Sequence, residues 1–175
     1  NLDLNVIMNQ KEKELFLELL KPDGKPERQL VQYEALHVIL PDPVMLYVRE
    51  GCEPGKTHPD KWGTLIAWPE GAPGATPIIT EENKVCPDIT RWREYVHAPD
   101  IEANCTHGWE IFSGLARQQA GSDKLLAAFM PCGLFEQCHF LMGFEDTLAN
   151  FYEHPDEMHE LIDYITDYRI EYAKM

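Results

Sequence analysis

The sequence predicts an α/β fold of the parallel kind, in which helices carry the chain from one strand to the next. Three observations predict it. The segment KLLAAFM, 124–130, is short and apolar without interruption, which suits a buried strand better than a surface helix. Helical patterns stand on both sides of it, so the second half reads helix, strand, helix, helix, and parallel strands need such helical crossovers. The chain closes on NFYEHPDEMHELIDYITDYRIEYAKM, 150–175, a helix with a clear start: Pro155 suits a first helical position, and Asp156 and Glu157 place negative charge in the first turn. Met158, Leu161, Ile162, Ile165, Tyr168 and Tyr172 form one apolar stripe that is still running at Met175, with no Gly, Asn or Pro to stop it.

From the N-terminus, Leu15, Phe16 and Leu19 share a face and predict a helix over about 9–20, ended by the turn chemistry of KPDGKP. RQLVQYEALHVIL follows, and its first part reads as a strand; PDPVMLYVREG reads as a second short extended run. The Gly- and Pro-rich section 51–80 carries two β-like runs, WGTLIAW and ATPIIT, on either side of PEGAPG, which predicts a hairpin. Asp88 is placed to cap a helix through DITRWREYV, which HAPD breaks. A longer helix is expected over about 100–119, ended by AGSD with Gly121. After the KLLAAFM strand, PCGLF turns the chain into further helix.

This pattern contains three or four strand candidates. A closed (β/α)8 barrel takes about 250 residues, so a barrel reading makes the chain the N-terminal half of a TIM-type barrel, one domain over 1–175, whose last helix leads to a strand that is not in the chain. Such a half would expose sheet edges and the stripe of its last helix. A homodimer, or aggregation, is then expected.

Hydrophobic residues make up 44% of the 175, enough for a core. Thirty acids against fifteen bases give a net charge of −15 and no basic cluster, so nucleic acid and anionic membrane surfaces are not expected partners. No apolar run reaches the roughly 18 residues of a membrane span, and the start of the chain lacks the pattern of a signal peptide. The five cysteines, at 52, 86, 105, 132 and 138, are odd in number and irregular in spacing, which fits reduced thiols and a cytoplasmic location.

Candidate chemistry is scattered. Glu136 and His139 make a Glu-x-x-His pair, but di-iron bundles need two such pairs and further carboxylates, and the Pro-rich middle does not supply the helices. Cys132, Cys138 and His139 match no zinc spacing, so no metal ligand is assigned within the chain. THPDKWGT brings His58, Asp60 and Trp62 onto one loop. It reads either as a binding edge or as a loop that Trp62 anchors by burial and Asp60 caps as a turn. In a parallel barrel, chemistry sits on the loops after strands. That rule singles out Cys132 and Gln137 after KLLAAFM, and Glu34 and His37 after the first strand.

Taken together, GLFEQCHFLMGFEDTLANFYEHPDEMHELIDYITDY, HPDKWGTLIAW and DITRWREYVHAPD resemble, in order along nearly the whole chain, the uroporphyrinogen decarboxylase superfamily. The resemblance implies a TIM-type barrel and two alternative chemistries. True decarboxylases of the superfamily remove acetate carboxyls from uroporphyrinogen in porphyrin biosynthesis, without a cofactor. They carry arginines after the first strand, an aspartate that binds pyrrole N–H groups, and a tyrosine after a later strand. Here no arginine stands between Val31 and Leu40, the aspartate corresponds approximately to Asp60, and the tyrosine position falls near Gln137. The other branch holds corrinoid-dependent methyltransferases, several of which use zinc. Its members imply a corrinoid protein or cobalamin as methyl carrier, and zinc ligands that would lie beyond Met175.

The missing arginines favour the methyltransferase branch: an enzyme that moves a methyl group between a methylated small molecule, a corrinoid and a thiol or tetrahydrofolate. In that reading Asp60, Glu34 and His37 carry catalysis, and Trp62, Gln137, Cys132 and His58 bind substrate. The alternatives are uroporphyrinogen III decarboxylation and a non-catalytic acidic binding module.

Overall fold

The computed structural model describes residues 4–31, 33–122 and 124–175. In chain order the elements are α1 (Leu4–Leu19), β1 (Leu36–Ile39), α2 (Pro43–Val48), β2 (Lys56–Pro59), β3 (Leu65–Trp68), β4 (Thr76–Pro77), a 3-10 turn (Ile89–Arg91), α3 (Trp92–Tyr95), α4 (Ile101–Asn104), α5 (Trp109–Gln119), β5 (Leu125–Ala128), α6 (Leu134–Met142), α7 (Phe144–Glu153) and α8 (Pro155–Lys174). The fold is mixed α/β, with one parallel pair of strands and one antiparallel sheet. Among the described residues no closed barrel forms. The chain divides into two compact units, 1–43 with 107–130 and 44–106 with 131–175.

In the first unit β1 and β5 run parallel, with Leu36 opposite Leu125 and Ile39 opposite Ala128. KLLAAFM is thus a strand, but burial on both faces is corrected: Leu126 is 43% exposed, because this sheet has two strands and covers only one of its faces. The first strand begins later than expected, at Leu36, after a turn in which the Glu34 backbone N–H donates to Val31. Gln32 and Asp123, which the sequence reading had placed in the first strand and in the stop after α5, lie outside the described residues. The helix expected over 100–119 is broken into α4 and α5 by Gly108, whose φ of 90° lies in the left-handed region that glycine adopts without steric cost.

In the second unit PDPVMLYVREG is helical, not extended, since Pro43 occupies the first helical position, where its missing N–H costs nothing. The hairpin across PEGAPG forms as β3 and β4, and β2 extends it to three antiparallel strands. Asp88 caps the 3-10 turn through Thr90 N–H at 3.0 Å.

Helices α6, α7 and α8 pack together. Gly133 starts α6, where the Glu136 carboxylate reaches back to its N–H at 2.7 Å. Gly143 separates α6 from α7 with φ 92°, and the Thr147 hydroxyl donates to its carbonyl at 2.7 Å. The α8 stripe is covered: Met158, Leu161, Ile165, Tyr168 and Tyr172 are all buried, which corrects the expectation of an open apolar face. Around α8, Tyr164 Oη accepts the Ala98 N–H at 2.8 Å, and Arg93 stacks on Trp92 while pairing with Glu160 at 2.7 Å. The β2–β3 turn and the loop after β4 are tied to the helices. Thr64 Oγ1 donates to the Phe140 carbonyl at 3.3 Å, and Lys84 pairs with Asp146 at 2.6 Å.

Candidate functional site

DKWGT forms the turn between β2 and β3. The Asp60 N–H donates to the Thr64 carbonyl at 2.8 Å, and Gly63 takes φ 86°, which a side chain would strain. Asp60 Oδ1 accepts the backbone N–H groups of Trp62 and Thr64, each at 3.0 Å. That is the geometry of an aspartate holding its own turn. Trp62 then packs inward and meets Tyr168 of α8 edge-on, with ring centroids 4.9 Å apart.

The turn forms one wall of a cleft of about 430 Å³, part of it open to solvent. Met45, Val48 and Arg49 come from α2 and its C-terminal end, and Asp60 and Trp62 from the turn. Pro131 and Cys132 come from the segment before α6, Gln137 and Phe140 from α6, and Tyr168, Arg169 and Tyr172 from α8. Asp60, Trp62, Cys132 and Gln137, far apart in sequence, are therefore neighbours, and both readings of the loop describe the same residues: the anchor and the capped turn are the cleft wall.

The electrostatics separate the roles. Burial pushes the Asp60 carboxyl above its ordinary value, against the nearby Arg49 guanidinium and the two backbone N–H groups. Among the described residues nothing donates to its second oxygen. Cys132 adopts φ 67°, uncommon for a residue with a side chain, and its thiol donates to Gln137 Oε1 at 3.4 Å. Burial is the main reason the Cys132 thiol is pushed up to about 12, so at neutral pH it is a hydrogen-bond donor rather than a nucleophile. Gln137 is 7% exposed, and its Nε2 is buried without an acceptor. Arg169 donates to the Pro131 carbonyl at 2.6 Å and so fixes the strand-to-helix segment on α8.

Two cleft arginines were missed by the sequence reading. Arg49 follows a short helix that had been read as extended, which hid its direction. Arg169 sits beside the apolar stripe of a helix otherwise rich in acids, and that contrast was the available signal.

His58 is exposed on β2, its Nδ1 2.6 Å from the Pro59 carbonyl, and does not line the cleft. Glu34 and His37 belong to the first unit. Glu34 pairs with Arg28 at 2.7 and 3.0 Å and accepts the Val31 N–H, and Arg28 above all holds its carboxyl down to about 2, so it stays ionised and is unsuited to proton transfer at neutral pH. A carboxyl lowered on folding adds stability above its unfolded range, and that stability is lost as pH falls from 4.5 towards about 2. Glu34→Gln is expected to flatten the acid limb of the melting curve over that window, more visibly at low salt. Identical acid limbs for the two proteins would show that the pair contributes nothing.

Among the described residues no group of three or more His, Cys, Asp or Glu is placed to hold a metal ion. No described helix is long and apolar enough to cross a membrane, and all five cysteines are free. Comparisons of the chain with protein-family models, with curated proteins and with solved structures find no match.

Proposed function

We propose that the chain is part of a (β/α)8-type enzyme of the uroporphyrinogen decarboxylase superfamily, that its reaction is methyl transfer between a methylated small molecule and a corrinoid, and that the 44–106/131–175 unit carries the small-molecule site. The observation that carries this reading is the gathering of Asp60, Trp62, Cys132 and Gln137 around one cleft. The parallel β1–β5 pair, joined through helices, supports the barrel architecture.

The missing arginines favour methyl transfer over decarboxylation: none stands between Val31 and Leu40 to hold the carboxylate arms of a uroporphyrinogen. In this reading the corrinoid carrier belongs to a partner protein. Within the cleft, Asp60 is the proton-handling group. Removing a methyl group from oxygen, nitrogen or sulfur leaves the electron pair on that heteroatom, which then takes a proton. A carboxyl in the cleft wall, raised by burial, is suited to deliver it. Trp62 and Phe140 shield the reacting bond from water, and Gln137 orients the donor.

The test is to supply the protein with reduced cobalamin and a panel of O-, N- and S-methylated small molecules, and to detect demethylated product by mass spectrometry. Parallel samples with uroporphyrinogen are analysed for coproporphyrinogen. Product that depends on Asp60 supports the proposal. Coproporphyrinogen instead would establish the decarboxylase reading, and neither product would leave a binding module.

A further inference from the structure

We propose that one face of the α6–α7 pair docks a basic amphipathic helix of a partner protein. On α7, Phe144, Leu148, Phe151 and Tyr152 recur at helical spacing, and all four are exposed, Phe144 by 57%, Leu148 by 50% and Tyr152 by 90%. Phe135 of α6 extends this face. Its ring meets Phe144 edge-on with centroids 5.8 Å apart, and stacks with Phe151 at 6.3 Å. The five side chains therefore form one continuous apolar surface across two helices. Its aromatic part alone leaves roughly 400 Å² open to solvent, the size at which an exposed patch marks an interaction site. None of the five lines the cleft, so the surface is independent of the substrate reading.

Charge identifies the partner. By helical position, carboxylates flank the stripe on both sides: Glu136, which also caps Gly133, on the α6 side, and Glu145 and Glu153 along the far edge of α7. Neither helix contains a lysine or arginine, and His139 packs its ring against Phe135 and Phe144. Lys84 reaches α7 from the loop after β4, but Asp146 at 2.6 Å and Glu81 at 2.7 Å hold it, and its side chain is 7% exposed. Lysines or arginines on both shoulders of an apolar helix face would meet the flanking carboxylates while that face covers the rings. A second copy would instead set the same carboxylates against themselves, on a chain of net charge −15, and an anionic membrane would be repelled likewise. The stripe on α7 suits the ridges of an incoming helix, whereas an extended peptide would need a sheet edge.

Three labelled peptides of about four helical turns test this on the whole chain by fluorescence anisotropy. One is a leucine–lysine helix with an apolar stripe between lysines, one is the same composition scrambled so that no stripe forms, and one carries glutamate in place of lysine. The patterned leucine–lysine peptide is expected to bind roughly tenfold or more tighter than the scrambled one, and the glutamate peptide not at all. Added salt should weaken it. Phe144→Ser combined with Leu148→Ser is expected to weaken it roughly tenfold or more. Tyr152→Ala should weaken it roughly threefold or more with the melting curve of the parent, which separates lost contact from lost folding. Glu145→Gln combined with Glu153→Gln should act in the same direction by removing one flank. Equal binding of the patterned and scrambled peptides would overturn the proposal, since charge alone would then explain it. So would unchanged affinity in both the Tyr152 and the Phe144–Leu148 variants. A parent dimer that the Phe144–Leu148 variant disperses would also overturn it, by making a second copy the occupant. Binding to neutral phosphatidylcholine vesicles that the same variant abolishes, with no peptide binding, would assign the face to a membrane instead.

Discussion

Asp60→Ala is expected to lower demethylation by roughly 10²–10⁴-fold, the usual range for losing a positioned proton donor. It is also expected to destabilise the β2–β3 turn. Oδ1 accepts two backbone N–H groups, and each buried donor left without an acceptor costs about 1–3 kcal/mol. Alanine alone would therefore confuse chemistry with folding, and Asp60→Asn separates them. Asparagine keeps an oxygen for both N–H groups but cannot deliver a proton, so the turn should persist while turnover falls.

The pH dependence of stability gives a second reading of the same residue. Burial raises the folded-state pKa of Asp60, so the folded protein favours the protonated carboxyl and is penalised once it ionises. Stability from this group falls as pH rises from the ordinary aspartate range through the raised value. Asp60→Asn should consequently melt higher than the parent at neutral pH, and the difference should vanish below the ordinary aspartate range. A variant with full turnover, or one that melts lower at neutral pH, would remove Asp60 from its assigned place.

The second large effect concerns α8. Leu161 is fully buried, and Leu161→Ala is expected to cost about 2–5 kcal/mol, the range for cutting a large side chain out of a packed core. For a chain of this length the melting temperature should fall by about 2–4 °C for each kcal/mol. The loss should extend beyond local packing, because α8 supplies Tyr168, Arg169 and Tyr172 to the cleft. Demethylation should fall in the same variant. Tyr152, 90% exposed on α7, is the control, and its alanine variant should stay within about 0.5 kcal/mol of the parent. If Leu161→Ala melted with the parent, α8 would not be the packed helix described here.

Local signals in the sequence were read correctly wherever a few neighbouring residues decide the conformation. Pro155 and the acids behind it start α8, Asp88 caps its turn, and PEGAPG folds back as a hairpin. The apolar run 124–130 forms a strand, and its partner is parallel. The failures came where local preference was weak or where a longer pattern hid a single glycine. Pro43–Val48 has β-like composition yet is helical, because Pro43 sets the backbone angle and the chain then packs Val44 into the core. Gly108 divides what a continuous apolar pattern made one helix.

For the site, residue types alone marked Asp60, Trp62, Cys132 and Gln137 as capable of chemistry, and loop position singled them out. Sequence could not show that they meet, since Asp60 and Gln137 are joined only through the packing of β3, α6 and α8. Nor could it rank them. Burial makes the Cys132 thiol a donor, raises the Asp60 carboxyl and leaves the Gln137 nitrogen without a partner, and burial is a property of everything packed around a residue. Chain-local chemistry therefore determined where helices and turns begin. Long-range packing decided which polar groups lost their water, and with it what each of them can do.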